Sequence, residues 1–309
     1  MSTHDLIIIG AGPAGLTAAV YARRSGLNAL VLEMGLPGGQ MRLSGDIENW
    51  PGTELISGED LSEKMRAQAA SFGALFQDAE VESVEASSDG LKEVKTTAGD
   101  FKAKAVLVAT GAYHKHLDDA IHDKYYGRGL SYCAVCDGGF FRGQDVAVVG
   151  GGNTALESAM FLTNHAKKIY LIHRRDKFRA DQVVIDRLSA HPKIELVMDH
   201  VVDGVKGQDE VEAVVLKHAK TGELKEIPVT GLFLFVGTAP HSGFLPQEVE
   251  RIDGGWVKTD RHLQTTMPGL FAAGDVRDTD LRQIVTAAAD GALAAMCIYR
   301  YIEGTLGVM

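Results

Sequence analysis

Two cysteines separated by two small or apolar residues, Cys133-Ala134-Val135-Cys136, and followed at once by Asp137 form the most reactive grouping in this 309-residue chain. The spacing sets both sulfurs on one turn, within disulfide reach where the local fold permits. At a helix start, such a turn lowers one thiol's pKa and yields a thiolate nucleophile near neutral pH. Thiol–disulfide exchange also needs a proton for the leaving thiolate, and Asp137 stands where it can carry one. The competing chemistry is half of a structural zinc site. That site needs four ligands, and the chain has neither a second Cys-x-x-Cys nor histidines at a matching spacing, so no metal is expected. Cys297 stands alone among Ala, Met and Ile and reads as a buried apolar side chain.

Two glycine-rich turns offer a second chemistry, the holding of phosphates. Gly10-Ala11-Gly12-Pro13-Ala14-Gly15 follows an apolar run at 5–9, and Gly150-Gly151-Gly152-Asn153-Thr154-Ala155 follows another at 146–149. In such a turn the first glycine permits the tight bend. The second lets a pyrophosphate approach the backbone, and the third lets helix and strand pack closely. The helix N-terminus then offers unpaired N–H groups and partial positive charge. Each copy carries the strand–turn–helix–strand context that the fingerprint requires. Strands over 5–9 and 29–32 flank a helix over 16–25; strands over 146–149 and 169–172 flank a helix over 156–164. Gly10 to Glu33 spans 23 positions, as does Gly150 to His173, so one supersecondary unit occurs twice.

The ends of the second strands separate the two ligands. Glu33 can accept hydrogen bonds from a ribose diol and would repel a 2′-phosphate, which suits FAD or NAD. At the matching place in the second copy stand His173, Arg174 and Arg175, with Arg179 one turn further. Arginines there pair with a 2′-phosphate through charge-assisted contacts, which selects NADPH over the alternative of a solvated basic face. Gly274-Asp275, after a strand over 270–273, would set a carboxylate near a ribitol hydroxyl of the flavin. A helix opening at Gln283-Ile284 would aim its N-terminus at the flavin ring.

The elements that must position these groups give an α/β fold of two Rossmann-like three-layer domains, the second inserted into the first. Strands over 106–109 and 232–236 close at Thr110-Gly111 and Gly237-Thr238, and an Ala-rich helix runs over 283–302. The FAD-binding domain is expected at 1–113 and 245–309, and the NADPH-binding domain with the Cys-x-x-Cys at 114–244. Hydrophobic content of 45% with 23% charged residues suits a globular enzyme, and a net charge of -10 opposes nonspecific nucleic-acid binding. No apolar run approaches the ~18 residues that span a bilayer, and residues 1–5 carry no basic signal region. A cytoplasmic protein without membrane attachment is therefore expected.

Together these residues resemble the low-molecular-weight thioredoxin reductases over essentially the whole chain. The marks are both glycine turns, Gly38-Gly39-Gln40, Glu48-Asn49-Trp50-Pro51-Gly52, Ala109-Thr110-Gly111, Cys133-Ala134-Val135-Cys136-Asp137-Gly138, His173-Arg174-Arg175 with Arg179, Gly274-Asp275-Val276 and Arg282-Gln283. The dithiol just before the second fingerprint is the most specific mark; glutathione-reductase-like enzymes carry theirs near the first. The resemblance implies electron flow from NADPH through FAD and the Cys133–Cys136 disulfide to thioredoxin. It implies that Cys136 lies next to the flavin, that Cys133 attacks the substrate, that Asp137 is the acid, and that the enzyme is a homodimer. It places Gly39, Gln40, Asn49, Thr110, Gly111, Arg282, Gln283 and Ile284 with the first turn around FAD. It also implies that the NADPH domain rotates between the two half-reactions.

The chain departs from that family after Ala112. Where the family usually has a Pro-Gly turn, this chain has no Pro or Gly between Gly111 and Gly127, and it carries His114, His116 and His122. That segment reads as a solvated surface loop rather than a metal or pH device. The same flavin–dithiol chemistry acting on a glutaredoxin-like protein, a peroxidase subunit or a small-molecule disulfide is the alternative function.

Overall fold

The computed structural model describes residues 3–44 and 46–306, with Asp46 described by its backbone alone. Met1 and Ser2, part of the segment read for a signal, lie outside the described residues. The chain divides into two compact units, Met1–Tyr113 with Ala239–Met309, and His114–Thr238. The second crossing thus falls at 238/239, not 244/245. Thr238–Pro240 pairs as a short strand with Ala112–His114, and Leu245 with Phe244 joins the apolar core of the first unit. Pairing of the two crossing strands therefore sets the boundary six residues earlier than expected.

In the first unit, Thr3–Ile9 is a central strand because Leu6, Ile7 and Ile8 are apolar on both faces and fully buried. Each such side chain contributes roughly 1.5–3 kcal/mol by leaving water. Parallel partners flank it, Ala29–Glu33 on one side and Phe101–Val108 on the other, in the register Ile9↔Leu32 and Ile9↔Val108. Phe101–Val108 is shared along its far edge. Its first half pairs antiparallel with Lys92–Thr96, and its second half pairs parallel with Leu270–Ala272. That last pairing brings residues 274–276 back beside the first glycine turn.

The helix Ile284–Ile302 packs on the helix Pro13–Arg24 through small residues. A Cβ at Gly291 would overlap the backbone of Ala14, and Ala287, Ala294 and Ala295 are buried nearby. The Ala-rich composition is thus the condition for close helix approach. It also returns the end of the described chain to the first unit.

The second unit has a five-stranded parallel sheet in the order Leu130–Ser131, Gly231–Leu234, Asp145–Val149, Lys168–Ile172, Ile194–Val197. Three antiparallel strands, His200–Lys206, Ala213–His218 and Leu224–Pro228, cover one face. The helices Asn153–Leu162 and Gln182–Ser189 cover the other. No helix among the described residues is long and apolar enough to cross a membrane.

Candidate functional site

In the first unit's glycine turn only the middle glycine faces open space. A Cβ at Gly10 would lie 2.5 Å from the Ala109 carbonyl oxygen, and one at Gly15 would overlap the carbonyl of Gly10. At Gly12 nothing lies within 4 Å. Gly12 caps the helix Pro13–Arg24, with Pro13 and Ala14 in its first turn, so its free N–H groups face the cleared space. Residues far apart in sequence converge there. Added Cβ atoms at Gly39, Gly274 and Gly10 would meet Gly12 Cα at 3.4 Å, Ala14 Cβ at 3.0 Å and Thr110 Cα at 3.1 Å, respectively. Thr110 Oγ1 donates to the His241 carbonyl at 2.6 Å, and Gly111 takes a positive φ of 66°.

Glu33 ends its strand beside this turn. Its Oε2 accepts from Ala11 N at 2.6 Å and its Oε1 from Gly35 N at 3.1 Å, which fixes the carboxylate against the loop. Asn49 Nδ2 donates to Gln283 Oε1 at 3.1 Å, and Gln40 is exposed on the short helical turn Gly39–Leu43. Gln283 caps Ile284–Ile302 with a reciprocal bond to Thr286. Two buried polar atoms here have no hydrogen-bond partner among the described residues, Asp275 Oδ1 and Arg282 Nε. Burial pushes the Asp275 carboxyl up to about 6, against the opposing charge of Arg282 and with that of Asp290. The Arg282 guanidinium lies 3.8 Å from the Trp256 ring centre, a cation–π contact. Buried groups left wanting partners, beside a helix start cleared of side chains, fit a polyhydroxylated diphosphate ligand such as FAD.

Asp290 was not legible as part of this site. It accepts from Gly274 N at 3.0 Å and from Arg277 Nε at 2.5 Å, tying the Gly274-Asp275 turn to the terminal helix. A lone acid in an Ala-rich helix carries no pattern that would mark it.

The second glycine turn repeats the design. A Cβ at Gly150 would lie 2.5 Å from Ala155 Cβ, while at Gly152 nothing lies within 4 Å. Gly152 caps the helix Asn153–Leu162, whose second residue is Thr154. The Asn153 side chain is used inside the fold, donating to Asp181 Oδ2 at 3.2 Å and accepting from Asp181 N at 2.8 Å. His173 takes a different part from the one expected. It is 5% exposed, its ring fills the space a Gly151 Cβ would need, and it stacks on Phe178. Burial, with the charges of Arg179, Arg174 and Arg175, holds its pKa below the ordinary value, so the ring is a neutral support beneath the loop. The three arginines themselves are exposed, and no carboxylate pairs with them among the described residues. Arg179 N donates to Gly151 O at 2.7 Å, which pins that arginine beside the turn. Unpaired guanidinia around a cleared helix start suit the 2′-phosphate of NADPH.

The dithiol lies in this same unit. Cys133 and Cys136 are joined as a disulfide with Cα atoms 5.3 Å apart. Cys133 caps the short helix Ala134–Asp137, its Sγ accepting from Cys136 N at 3.1 Å. An N–H aimed at sulfur stabilises negative charge there, which marks Cys133 as the readier thiolate once the bond opens. Ser131, not singled out from the sequence, organises the turn. Its hydroxyl donates to Asp137 Oδ2 at 2.5 Å and accepts from Cys133 N at 3.0 Å. Burial raises the Asp137 pKa, and the Ser131 hydrogen bond pulls it part of the way back. A carboxyl with raised pKa next to a redox disulfide is suited to hold and release a proton.

The segment 113–126 is largely exposed, as expected, but it is not a loop throughout. It contains the helix Asp119–Tyr125, and its histidine rings are stacked, His116 on His122, His122 on Tyr126 and His114 on Tyr132. Cys297 is buried in the terminal helix. Among the described residues, no group of three or more His, Cys, Asp or Glu is placed to hold a metal ion.

The profile of the pyridine nucleotide-disulphide oxidoreductase family matches residues 4–291. A thioredoxin reductase of Listeria innocua is 44% identical over 305 residues, 97% of this chain and 94% of its own. One of Bacillus subtilis is 41% identical over 303 residues, 97% and 95% of the two chains. The crystal structure of thioredoxin reductase from Streptococcus pyogenes superposes with a TM-score of 0.92 at 44% identity, covering 98% of this chain and 99% of that one.

Proposed function

This chain belongs to the pyridine nucleotide-disulphide oxidoreductase family, and on that premise we propose that it works as a thioredoxin reductase, passing electrons from NADPH through FAD and Cys133–Cys136 to oxidised thioredoxin. The observation that carries the reading is the closed Cys133–Cys136 disulfide, its Cys133 sulfur facing Cys136 N and its turn tied through Ser131 to the Asp137 carboxyl. Bound flavin supplies a two-electron carrier between nicotinamide and disulfide. The start of Pro13–Arg24 would receive its pyrophosphate, Glu33 a ribose diol, and Asp275 a ribitol hydroxyl. Gly150, Gly152 and the arginines would hold NADPH.

When the disulfide has been reduced, Cys136 N stabilises the Cys133 thiolate. Cys133 attacks one sulfur of the substrate disulfide, and the other sulfur leaves as a thiolate that takes a proton from Asp137. Cys136 then attacks Cys133 in the mixed disulfide. The second substrate sulfur leaves as a thiolate and takes up the proton that Cys136 gave up on attack, and the Cys133–Cys136 bond is restored. Ser131 keeps the acid and the turn in register throughout. The reading includes a homodimer, from the family resemblance, and a cytoplasmic site of action, where thiols are kept reduced.

The test is turnover with NADPH, a thioredoxin from the same source and a chromogenic disulfide. Turnover is expected to vanish in Cys133→Ser and to be much weaker with NADH. Flavin bleaching by NADPH without thioredoxin reduction would retain the electron-transfer core and exclude this substrate.

A further inference from the structure

The three histidines that set 113–126 apart from the family form a packed group in the second unit, next to the redox turn. His116 and His122 stack with ring centres 3.8 Å apart and planes 10° from parallel. His122 stacks in turn on Tyr126, at 4.9 Å. His114 stacks on Tyr132, at 4.8 Å. His122 Nδ1 lies 3.0 Å from the Tyr132 hydroxyl, a hydrogen bond that crosses from the helix Asp119–Tyr125 to the residue preceding Cys133. Tyr132 is 6% exposed, so its ring has no freedom to swing away. Tyr126 also feels the Asp137 charge.

We propose, resting on the reductase reading above, that His122 is a positioning residue for the Cys133–Cys136 turn, acting through Tyr132, and that protonation of His122 itself makes this support acid-sensitive. The geometry supplies the reason. Cys133 is the N-cap of a four-residue helix, which has little intrinsic stability, so its orientation depends on Ser131 and Tyr132 on its N-terminal side. Neutral imidazoles stack without penalty. A neutral His122 can accept the Tyr132 hydroxyl proton at Nδ1, and a proton placed on that nitrogen ends its role as acceptor.

The groups facing His122 are His116 from the preceding loop, Asp119 and Asp123 from its own helix, and Tyr126 and Tyr132 from the segment that leads into the dithiol. Burial first, and then His116, hold the His122 pKa below the ordinary 6.5, while the two aspartates oppose this. Burial drives the neighbouring His114 down to about 4, so it stays neutral through the relevant range. The sign follows. The neutral His122 ring and its grip on Tyr132 are present at neutral pH and are lost as pH falls below that ordinary value.

The experiment measures kcat and KM for thioredoxin from pH 5 to 8.5 in the whole flavoprotein and in His122→Ala, His122→Asn and His116→Ala. It also equilibrates each protein with dithiothreitol buffers and counts Cys133 and Cys136 thiols by alkylation. His122→Ala is expected to lower kcat at pH 7.5 about tenfold, the scale of one lost hydrogen bond, with KM unmoved. His122→Asn, whose amide can still reach Tyr132 but does not titrate, should recover most of that loss and flatten the acid limb. His116→Ala should move the acid limb to higher pH. The disulfide-to-dithiol ratio in a fixed buffer should differ at least threefold between wild type and His122→Ala.

Superimposable pH profiles in all four proteins, or equal losses in His122→Ala and His122→Asn, would overturn the proposal. If thioredoxin is not reduced at all although NADPH bleaches the flavin, the substrate reading has failed. The dithiothreitol titration then decides the positioning role alone, and an unchanged ratio overturns it.

Discussion

Replacing Asp275 by asparagine is expected to stabilise the flavin-free protein at pH 8 while weakening its hold on the flavin. The carboxyl sits in a turn where burial outweighs the nearby Arg282 charge, and one oxygen has no hydrogen-bond partner among the described residues. Its pKa stands at about 6 in the folded protein against 3.8 for the free group, a difference of about two units. At ~1.36 kcal/mol per unit, ionising this carboxyl in the folded state costs about 2–3 kcal/mol. A folded pKa above the unfolded one means that the folded state binds the extra proton. The stabilisation is therefore complete below pH 3.8, is lost as pH rises through 6, and changes no further above about 7.

Asparagine cannot ionise, so the variant should lack that decline. The assay is urea unfolding of flavin-stripped wild type and Asp275→Asn at pH 4.5 and pH 8, followed by tryptophan fluorescence. Trp50 and Trp256 are the only tryptophans, and both lie in the first unit, so the signal reports the unit that holds Asp275. The variant should gain roughly 2 kcal/mol on wild type between the two pH values. Flavin affinity should fall by about 10–100-fold, as a charged acceptor is replaced by a neutral amide. Parallel pH dependences in the two proteins would refute the argument, because the orphaned carboxyl would then have found a partner that burial denies it here.

The glycines of the first turn should separate packing from binding. Gly15→Ala is expected to destabilise the protein by about 2 kcal/mol or more, because its Cβ would overlap the Gly10 carbonyl, whereas Gly12→Ala should leave flavin-free stability within about 0.5 kcal/mol and lower flavin affinity; thermal melts of stripped and loaded protein read both. Converting Arg174 and Arg175 together to Gln should raise KM for NADPH about 100-fold and leave KM for NADH within about threefold, since only the former carries the 2′-phosphate. In Ser131→Ala the hydrogen bond that pulls the Asp137 pKa down is lost. The carboxyl should then hold its proton to higher pH, and the alkaline limb of kcat/KM for thioredoxin should move upward; an unmoved limb would mean that Asp137 is not the acid.

Much of this enzyme is legible in its sequence because the informative features are local. A strand, a glycine turn, a helix and a second strand occupy about two dozen consecutive residues, and the groups at their ends, Glu33 and Arg174-Arg175, keep fixed offsets from Gly10 and Gly150. The Cys133–Cys136 spacing likewise determined that the sulfurs could meet, and the structure joins them. What only the tertiary structure decided rests on contacts between residues that no pattern links. His173 reads as one of a basic triplet, yet the glycine turn and Phe178 bury it, leaving the arginines alone to face solvent. Ser131 is an ordinary serine until the chain folds Asp137 back onto its hydroxyl. The second crossing lies at 238 because Thr238–Pro240 finds a strand partner at Ala112–His114, more than a hundred residues away. His114, His116 and His122 look solvated when read in line, because polar residues surround them in sequence. The contacts of His122 with His116 and Tyr132, and of His114 with Tyr132, form only when the helix Asp119–Tyr125 lays His122 against Tyr132, and burial then lowers the pKa of His114 and His122.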